Sequence, residues 1–267
     1  MKIVVTAKRV PDTTEVKTDP VTGTLIRKGV PHIINPDDVH ACEAALQIKE
    51  QFPGSEVNIM TMGQGDAGVK QKELLSMGAD HAYLLTDRFF GGADTLVCSR
   101  TLAAGIKKLG DVDLVLCGHQ AIDGDTAQVG PEIARRLGIP SVSCICGLEI
   151  SEDGKTATVV RQLDDGTETL EVPLPALFTV NKDLNDPRYM TIYNITDVFS
   201  NPEKDTIIWN HEDIELDPSV LGLKASPTQV VRTFTPAPKG AGEMIEGTPE
   251  VAAAALAGKL AEKHLIK

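Results

Sequence analysis

The chain has 267 residues, 42% hydrophobic and 24% charged, enough to bury one large core with an appendage. Its formal net charge of −12, from 38 acidic and 26 basic residues, excludes the electrostatic footprint of a nucleic-acid binder or of a protein held on an anionic membrane. The apolar run in MKIVVTAKRV is too short for a signal peptide, and no stretch approaches the roughly 20 apolar residues of a membrane span, so a cytoplasmic chain without membrane insertion is expected.

Residues 2–10 are rich in β-branched side chains and read as a central strand of a parallel sheet. Residues 16–34 carry Asp19-Pro20 and Thr22-Gly23 between extended runs and read as a hairpin at the rim. Asn35-Pro36-Asp37-Asp38 opens a helix through Val39, Cys42, Ala45, Leu46 and Ile48 to Phe52-Pro53-Gly54, with Asn35 suited to the N-cap. Strand 56–62, the turn Gly63-Gln64-Gly65, helix 66–77 and strand 81–86 follow. A second turn, Phe90 to Thr95, leads into helix 95–109, and strand 113–118 runs into the polar loop His119–Asp125 and helix 126–137, ended by Gly138. Strands alternating with helices imply right-handed crossovers, with the ligand at the carboxyl edge where these turns lie.

After Pro140 the pattern becomes extended runs at 141–150, 156–163 and 167–173, with a turn at Asp164-Asp165-Gly166, which read as an antiparallel addition to the same domain. From about residue 196 prolines recur at 202, 218, 227, 236, 238 and 249, before a terminal helix from Pro249 to Leu265. The expected organisation is therefore an α/β domain over 1–195 and an arm over 196–267 with little core of its own. The five cysteines lack paired C-x-x-C spacing and read as reduced, mostly buried thiols, with Cys144 and Cys146 on one side of a strand.

The segment Gly118 to Gly130 follows an apolar strand and opens a helix, a setting suited to a diphosphate. Gly124 lets a ligand approach the backbone, the amides of Asp125, Thr126 and Ala127 sit at a helix N-terminus, and Thr126, Gln120 and Gln128 add neutral hydrogen bonds. A plain capped turn with Asp125 as N-cap is the other reading. The segment matches neither Walker A nor G-x-G-x-x-G. His119 has no nucleophile or paired carboxylate beside it, so no catalytic residue is assigned. Asp123, Asp125, Asp164 and Asp165 lack the spacing of a calcium loop, so no metal is expected.

G-x-Q-A-I-D-x-D-x-x-Q-x-G over 118–130 resembles the nucleotide-binding signature of electron-transfer flavoprotein beta (small) subunits. Val159–Leu170 followed by Pro175–Thr179 is similar to a second family stretch, departing at Phe178, where an aliphatic residue is usual. Asp183-Leu-Asn-Asp-Pro-Arg-Tyr189 resembles the loop that presents an exposed leucine to partner dehydrogenases, which makes Leu184, Asn185, Pro187, Arg188 and Tyr189 the implied docking residues, although the residues alone fit an ordinary buried turn leucine at 184 equally well. Ala7-Lys-Arg-Val-Pro11 and Asn35-Pro36 fit the same family, so the resemblance spans residues 1 to about 195.

The resemblance implies a Rossmann-like adenine-nucleotide-binding domain and an extended C-terminal arm wrapping a large (alpha) subunit. One kind of beta subunit in this family holds AMP as a structural ligand; the other holds an FAD that bifurcates electrons from transient NADH. Gly124-Asp125-Thr126 and Phe90-Gly-Gly-Ala-Asp-Thr95 resemble the bifurcating kind, with Asp94 and Thr95 meeting the flavin or its ribityl chain, although capping alone also accounts for that pair. The implied cofactor residues are Thr6, Ala7, Asn35, Asp37, Asp38, Met62, Gly63, Asp94, Thr95 and Gly118, with Gln120, Ala121, Ile122, Asp123, Gly124, Asp125, Thr126, Ala127, Gln128 and Val129. The implied acceptors are ferredoxin or flavodoxin on one branch and, through the FAD of the large subunit, an acyl-CoA dehydrogenase on the other. An AMP-holding subunit without a redox group is the alternative, and an unrelated stress-type adenine-nucleotide binder conflicts with residues 159–189.

Overall fold

The computed structural model describes residues 1–12, 30–231, 240 and 242–266. It divides the chain into two units, Met1–Val231 and Arg232–Lys267.

In the first unit, β1 (Lys2–Thr6) is flanked by β4 (Glu56–Met62) and β6 (Leu114–Gly118), parallel on both sides. Side-chain alternation sends Ile3, Val5, Leu114 and Leu116 into one core and Val4, Val115 and Cys117 into the other, as a strand covered on both faces requires. Helices α1 (Pro36–Gln51) and α2 (Ala67–Met77) contribute to the first core, and α3 (Thr95–Lys108) and α4 (Val129–Leu137) to the second.

Strands β7 (Ser141–Ile150), β8 (Thr156–Gln162) and β9 (Thr167–Pro173) form the expected antiparallel addition. With β5 (His81–Leu85), β10 (Ala176–Val180) and β11 (Ile207–Trp209), the order of the nine-stranded sheet is β11-β5-β4-β1-β6-β10-β7-β8-β9. The chain leaves β1 toward β4 and β5, then crosses back to β6, so the direction of winding reverses between β1 and β6. A ligand crevice is expected at that switch, outside the carboxyl ends.

Several expectations are corrected. The strand at 2–10 breaks at Ala7-Lys8, where the Thr61 hydroxyl donates to the Ala7 carbonyl (2.8 Å) and the Lys8 amide donates to Asp38 Oδ2 (2.8 Å). These side chains take the groups a longer strand would have paired, and the chain turns into a separate ribbon of β2 (Arg9–Pro11) and β3 (His32–Ile34). The hairpin expected at 16–34 lies mostly outside the described residues; its far end is β3. The helix expected from 126 begins at Val129. From Ala176 on, the stretch Pro175–Thr179 belongs to β10 (Ala176–Val180), a fully buried strand lying parallel between β6 and β7. Cys144 has φ +58° at an irregularity in β7, so Cys144 and Cys146 do not follow simple alternation.

Residues 196–231 fall within the first unit, whereas a boundary near 195 was expected. Helix α5 (Ile192–Ser200) buries Val198 in the first core, and β11 pairs with β5 at the sheet edge. A short helix α6 (Gly222–Ala225) follows. The second unit contains α7 (Pro249–Glu262), which starts with proline in its first turn and has no buried side chain. No described helix is long and apolar enough to cross a membrane.

Candidate functional site

A cavity of about 1080 Å³ lies at the switch between β1 and β6 and is lined by residues from the carboxyl ends of β1, β4, β5 and β6. Four adjacent strand ends span about 14 Å at ordinary sheet spacing. Of the residues expected to hold a cofactor, Thr6, Ala7, Asn35, Asp38, Met62, Gly63, Asp94, Thr95, Gly118, Gln120, Ala121 and Asp123 through Val129 line it. Asp37 and Ile122 do not; Ile122 is 51% exposed.

The loop from Gly118 to Gln128 is the most elaborate wall. Gly118 at its start and Gly130, just inside α4, have packing reasons. A Cβ on Gly118 would lie 2.7 Å from Asp37 Cβ, and one on Gly130 would lie 2.7 Å from Thr179 Cγ2. Gly124 differs: a Cβ there meets no protein atom, and its φ is outside the left-handed region. Neither a packing contact nor left-handed backbone requires glycine at 124.

The amides thought to sit at a helix N-terminus are placed otherwise. Asp125 (φ +49°) and Ala127 (φ +53°) hold left-handed backbone, and the first helical residue is Val129. Asp125 does not cap; its amide donates to Ala121 O (2.9 Å), as does that of Gly124 (3.1 Å). Left-handed residues interspersed in a loop can turn neighbouring backbone N–H groups toward one concave side, a geometry different from the expected helix N-terminus. The Thr95 hydroxyl lies 2.9 Å from Gln128 Oε1 and joins the start of α3 to this loop.

Beneath the loop, Asn35 occupies the N-cap position of α1 without capping it. Its Nδ2 donates to Gln120 O (2.9 Å) and its Oδ1 accepts from Ile122 N (3.1 Å). Asp38, 6% exposed, accepts from the Lys8 amide through Oδ2 and from the Gly118 amide through Oδ1 (2.9 Å). Burial pushes its pKa up to about 7 against the lowering effect of these two amides. Asp94 has the opposite balance. Burial raises its pKa, but hydrogen bonds from the amides of Thr228 and Val97 outweigh it, and the carboxyl group titrates below its ordinary range. Its side chain therefore caps α3 and fastens the segment around Thr228, which favours the capping reading for this residue.

The cations of the site come from outside the loop, and the sequence reading missed them. Lys8, Arg9 and Arg88 line the cavity. Lys8 pairs with Asp123 (2.6 Å), whose side chain is 7% exposed, and Arg9 pairs with the well-exposed Asp66 (2.6 Å). Arg88 stacks over the Phe89 ring and has no carboxylate partner among the described residues. Ala7-Lys8-Arg9 was visible as a basic pair ending a strand, the one signal that could have revealed this. Cys98 and Cys117 also line the cavity, where burial pushes their thiols up to about 11 and about 12, so neither is a thiolate at neutral pH. His119 lines the cavity beside Cys144, whose Sγ lies 3.2 Å from Nδ1 and 3.7 Å from Nε2.

The expected docking loop lies apart from this cavity. Leu184 is half-buried against the first core, contrary to the exposure expected of it. Asn185 exchanges hydrogen bonds with His40, and Arg188 forms two bonds to the buried Glu43 (2.8 and 2.9 Å) and one to Glu50 (2.5 Å), pinning the loop to α1. The outward apolar surface is instead Tyr189 (96% exposed), Ile192 and Tyr193.

Residues 22–204 match the family described as "Electron transfer flavoprotein domain". The chain is 58% identical over 267 residues, the full length of both proteins, to the caffeyl-CoA reductase–Etf complex subunit CarD of Acetobacterium woodii. It is 52% identical over 266 residues to an electron transfer flavoprotein subunit beta of Clostridium acetobutylicum, again over 100% of each chain. It is also 42% identical over 274 residues, all of both chains, to the acryloyl-CoA reductase electron transfer subunit gamma of Anaerotignum propionicum.

Proposed function

The chain belongs to the electron transfer flavoprotein family as a beta subunit, and on that premise we propose that its cavity holds FAD, so that this subunit takes electrons from NADH and divides them between two acceptors. The observation that carries this reading is Gly124: a glycine of the 118–128 loop that neither a packing contact nor left-handed backbone requires lines a cavity of about 1080 Å³ that continues past the loop to the end of β5. A side chain there would occupy space that is otherwise open to a ligand.

When bound, the flavin supplies hydride acceptance and release of single electrons. The chain's own part is to bind and orient. The amides of Thr126 and Ala127, with the Thr126 hydroxyl, face the diphosphate, while Lys8, Arg9 and Arg88 offset its charge in a chain that is acidic overall. Thr95 and Asp94 shape the far end. Cys98 and Cys117 hold protonated thiols and Asp94 is engaged by amides, so none of these three is poised as a nucleophile, which suits a protein that positions a redox group.

The names of two relatives, which mention a caffeyl-CoA reductase and an acryloyl-CoA reductase, support an acyl-CoA-directed partner. On this reading the chain works in the cytoplasm, one electron leaves to ferredoxin or flavodoxin, and the other passes through the FAD of a large subunit to an acyl-CoA dehydrogenase-type enzyme. Residues 196–267 would hold the large subunit, and Tyr189, Ile192 and Tyr193 give the 184–193 segment an apolar face for the dehydrogenase. Titration of FAD into deflavinated heterodimer tests the site. Thr126→Val should weaken binding about tenfold or more, about 1.4 kcal/mol. Unchanged affinity would place the diphosphate elsewhere.

A further inference from the structure

We propose that Asn35 is the positioning residue of the nucleotide loop, holding its first half in a preformed shape through two backbone groups. The inference rests on the reading of the cavity as a nucleotide site and concerns how that site is built. Asn35 is 1% exposed and stands at an N-cap position, yet its side chain caps no backbone amide of its own helix. Both ends of the amide go to a loop more than 80 residues away: Nδ2 to Gln120 O, and Oδ1 to Ile122 N. An acceptor and a donor two residues apart on one chain are what a neighbouring β-strand would engage, so Asn35 substitutes for a strand where the sheet has ended.

Its backbone adds a third tie, because the Asn35 amide donates to Lys8 O (2.8 Å). Lys8 in turn reaches Asp123 through its ammonium group. One residue thus joins the turn after β1, the start of α1 and the loop after β6. The tie is relayed onward through Ala121, whose carbonyl lies between the two residues that Asn35 holds. That carbonyl accepts from the amides of Gly124 and Asp125, the point at which the left-handed segment begins. Asn35 therefore sets where the phosphate-facing amides stand by holding the loop beneath them. The alternative is a buried asparagine that only satisfies two backbone groups. It predicts a loss of stability with no effect on binding beyond that.

The test uses the full chain produced with its large subunit, with FAD as the probe. Asn35→Ala and Asn35→Ser should each lower FAD affinity at least tenfold, and exchange at the amides of Ile122, Gly124 and Asp125 should quicken. Leu184→Ala, a destabilising change away from the loop, is the control: if it lowers affinity as much as the Asn35 variants, the role is merely structural and the inference is overturned. Should both Asn35 variants fail to fold, amide exchange in the parent protein decides. The Ile122 amide is expected to be protected before FAD is added, while Thr126 and Ala127 gain protection only with it; an unprotected Ile122 amide in the FAD-free protein refutes the inference. Failure of the parent to bind FAD or AMP would instead overturn the nucleotide reading itself.

Discussion

Replacing Gly124 separates a ligand-side reason from a fold-side one. The added Cβ of Gly124→Ala meets no protein atom, and the backbone there is not left-handed, so the variant has no clash to relieve. Restricting the unfolded chain should then leave the FAD-free protein unchanged or stabilised by about 0.4–1 kcal/mol. FAD affinity should move the other way, because the methyl group stands where the ligand approaches the loop. Gly124→Asp adds a charge as well. Two unit charges about 4 Å apart near a protein surface repel by roughly 4 kcal/mol. Exposure of the site discounts that to about 1–2 kcal/mol, or a roughly five- to thirtyfold loss of affinity. Urea unfolding of the FAD-free heterodimer and FAD titration of the same samples measure both quantities. A Gly124→Ala variant that loses more than about 1 kcal/mol of stability while binding FAD normally would show that the glycine serves the fold.

Asp38 should leave a signature in stability against pH. Its folded pKa of about 7 lies above the ordinary 3.8, so the unfolded state releases this proton first, and the contribution present below pH 3.8 is lost by about pH 7, roughly 4 kcal/mol in all. Asp38→Asn should flatten that part of the curve, and an unaltered slope in unfolding free energy would assign it to another group. Leu184→Ala should cost about 1–2 kcal/mol because the side chain packs on the core, whereas Tyr189→Ala should preserve stability and slow electron transfer to the dehydrogenase; the opposite pairing in melting and turnover assays would return the docking role to Leu184. Arg188→Met leaves the Glu43 carboxylate buried without its guanidinium and should destabilise by about 3 kcal/mol, read as a lower urea midpoint; no shift would mean the pair adds nothing.

The βαβ rhythm was legible because each strand from Lys2 to Gly118 is an apolar run ended by glycine or a polar turn. β10 was harder to read. Its five residues lie only two residues after β9, and nothing in ALFTV distinguishes a central parallel strand from the end of a meander. The break at Ala7-Lys8 and the relocated loop amides depend on Thr61, Asp38 and Asn35, partners far away in sequence that no local pattern identifies. The site was therefore legible as a motif, and most of the residues expected to hold a cofactor line one cavity. Its cations, Lys8, Arg9 and Arg88, became visible only when the carboxyl edge brought them together.

The nucleotide content of the purified heterodimer tests the central claim most directly. Acid release followed by chromatographic quantitation should yield two FAD per heterodimer and no AMP, with NADH bleaching the flavin of this subunit. One FAD with one AMP would contradict the account and make this chain the nucleotide-holding scaffold of an ordinary electron transfer flavoprotein.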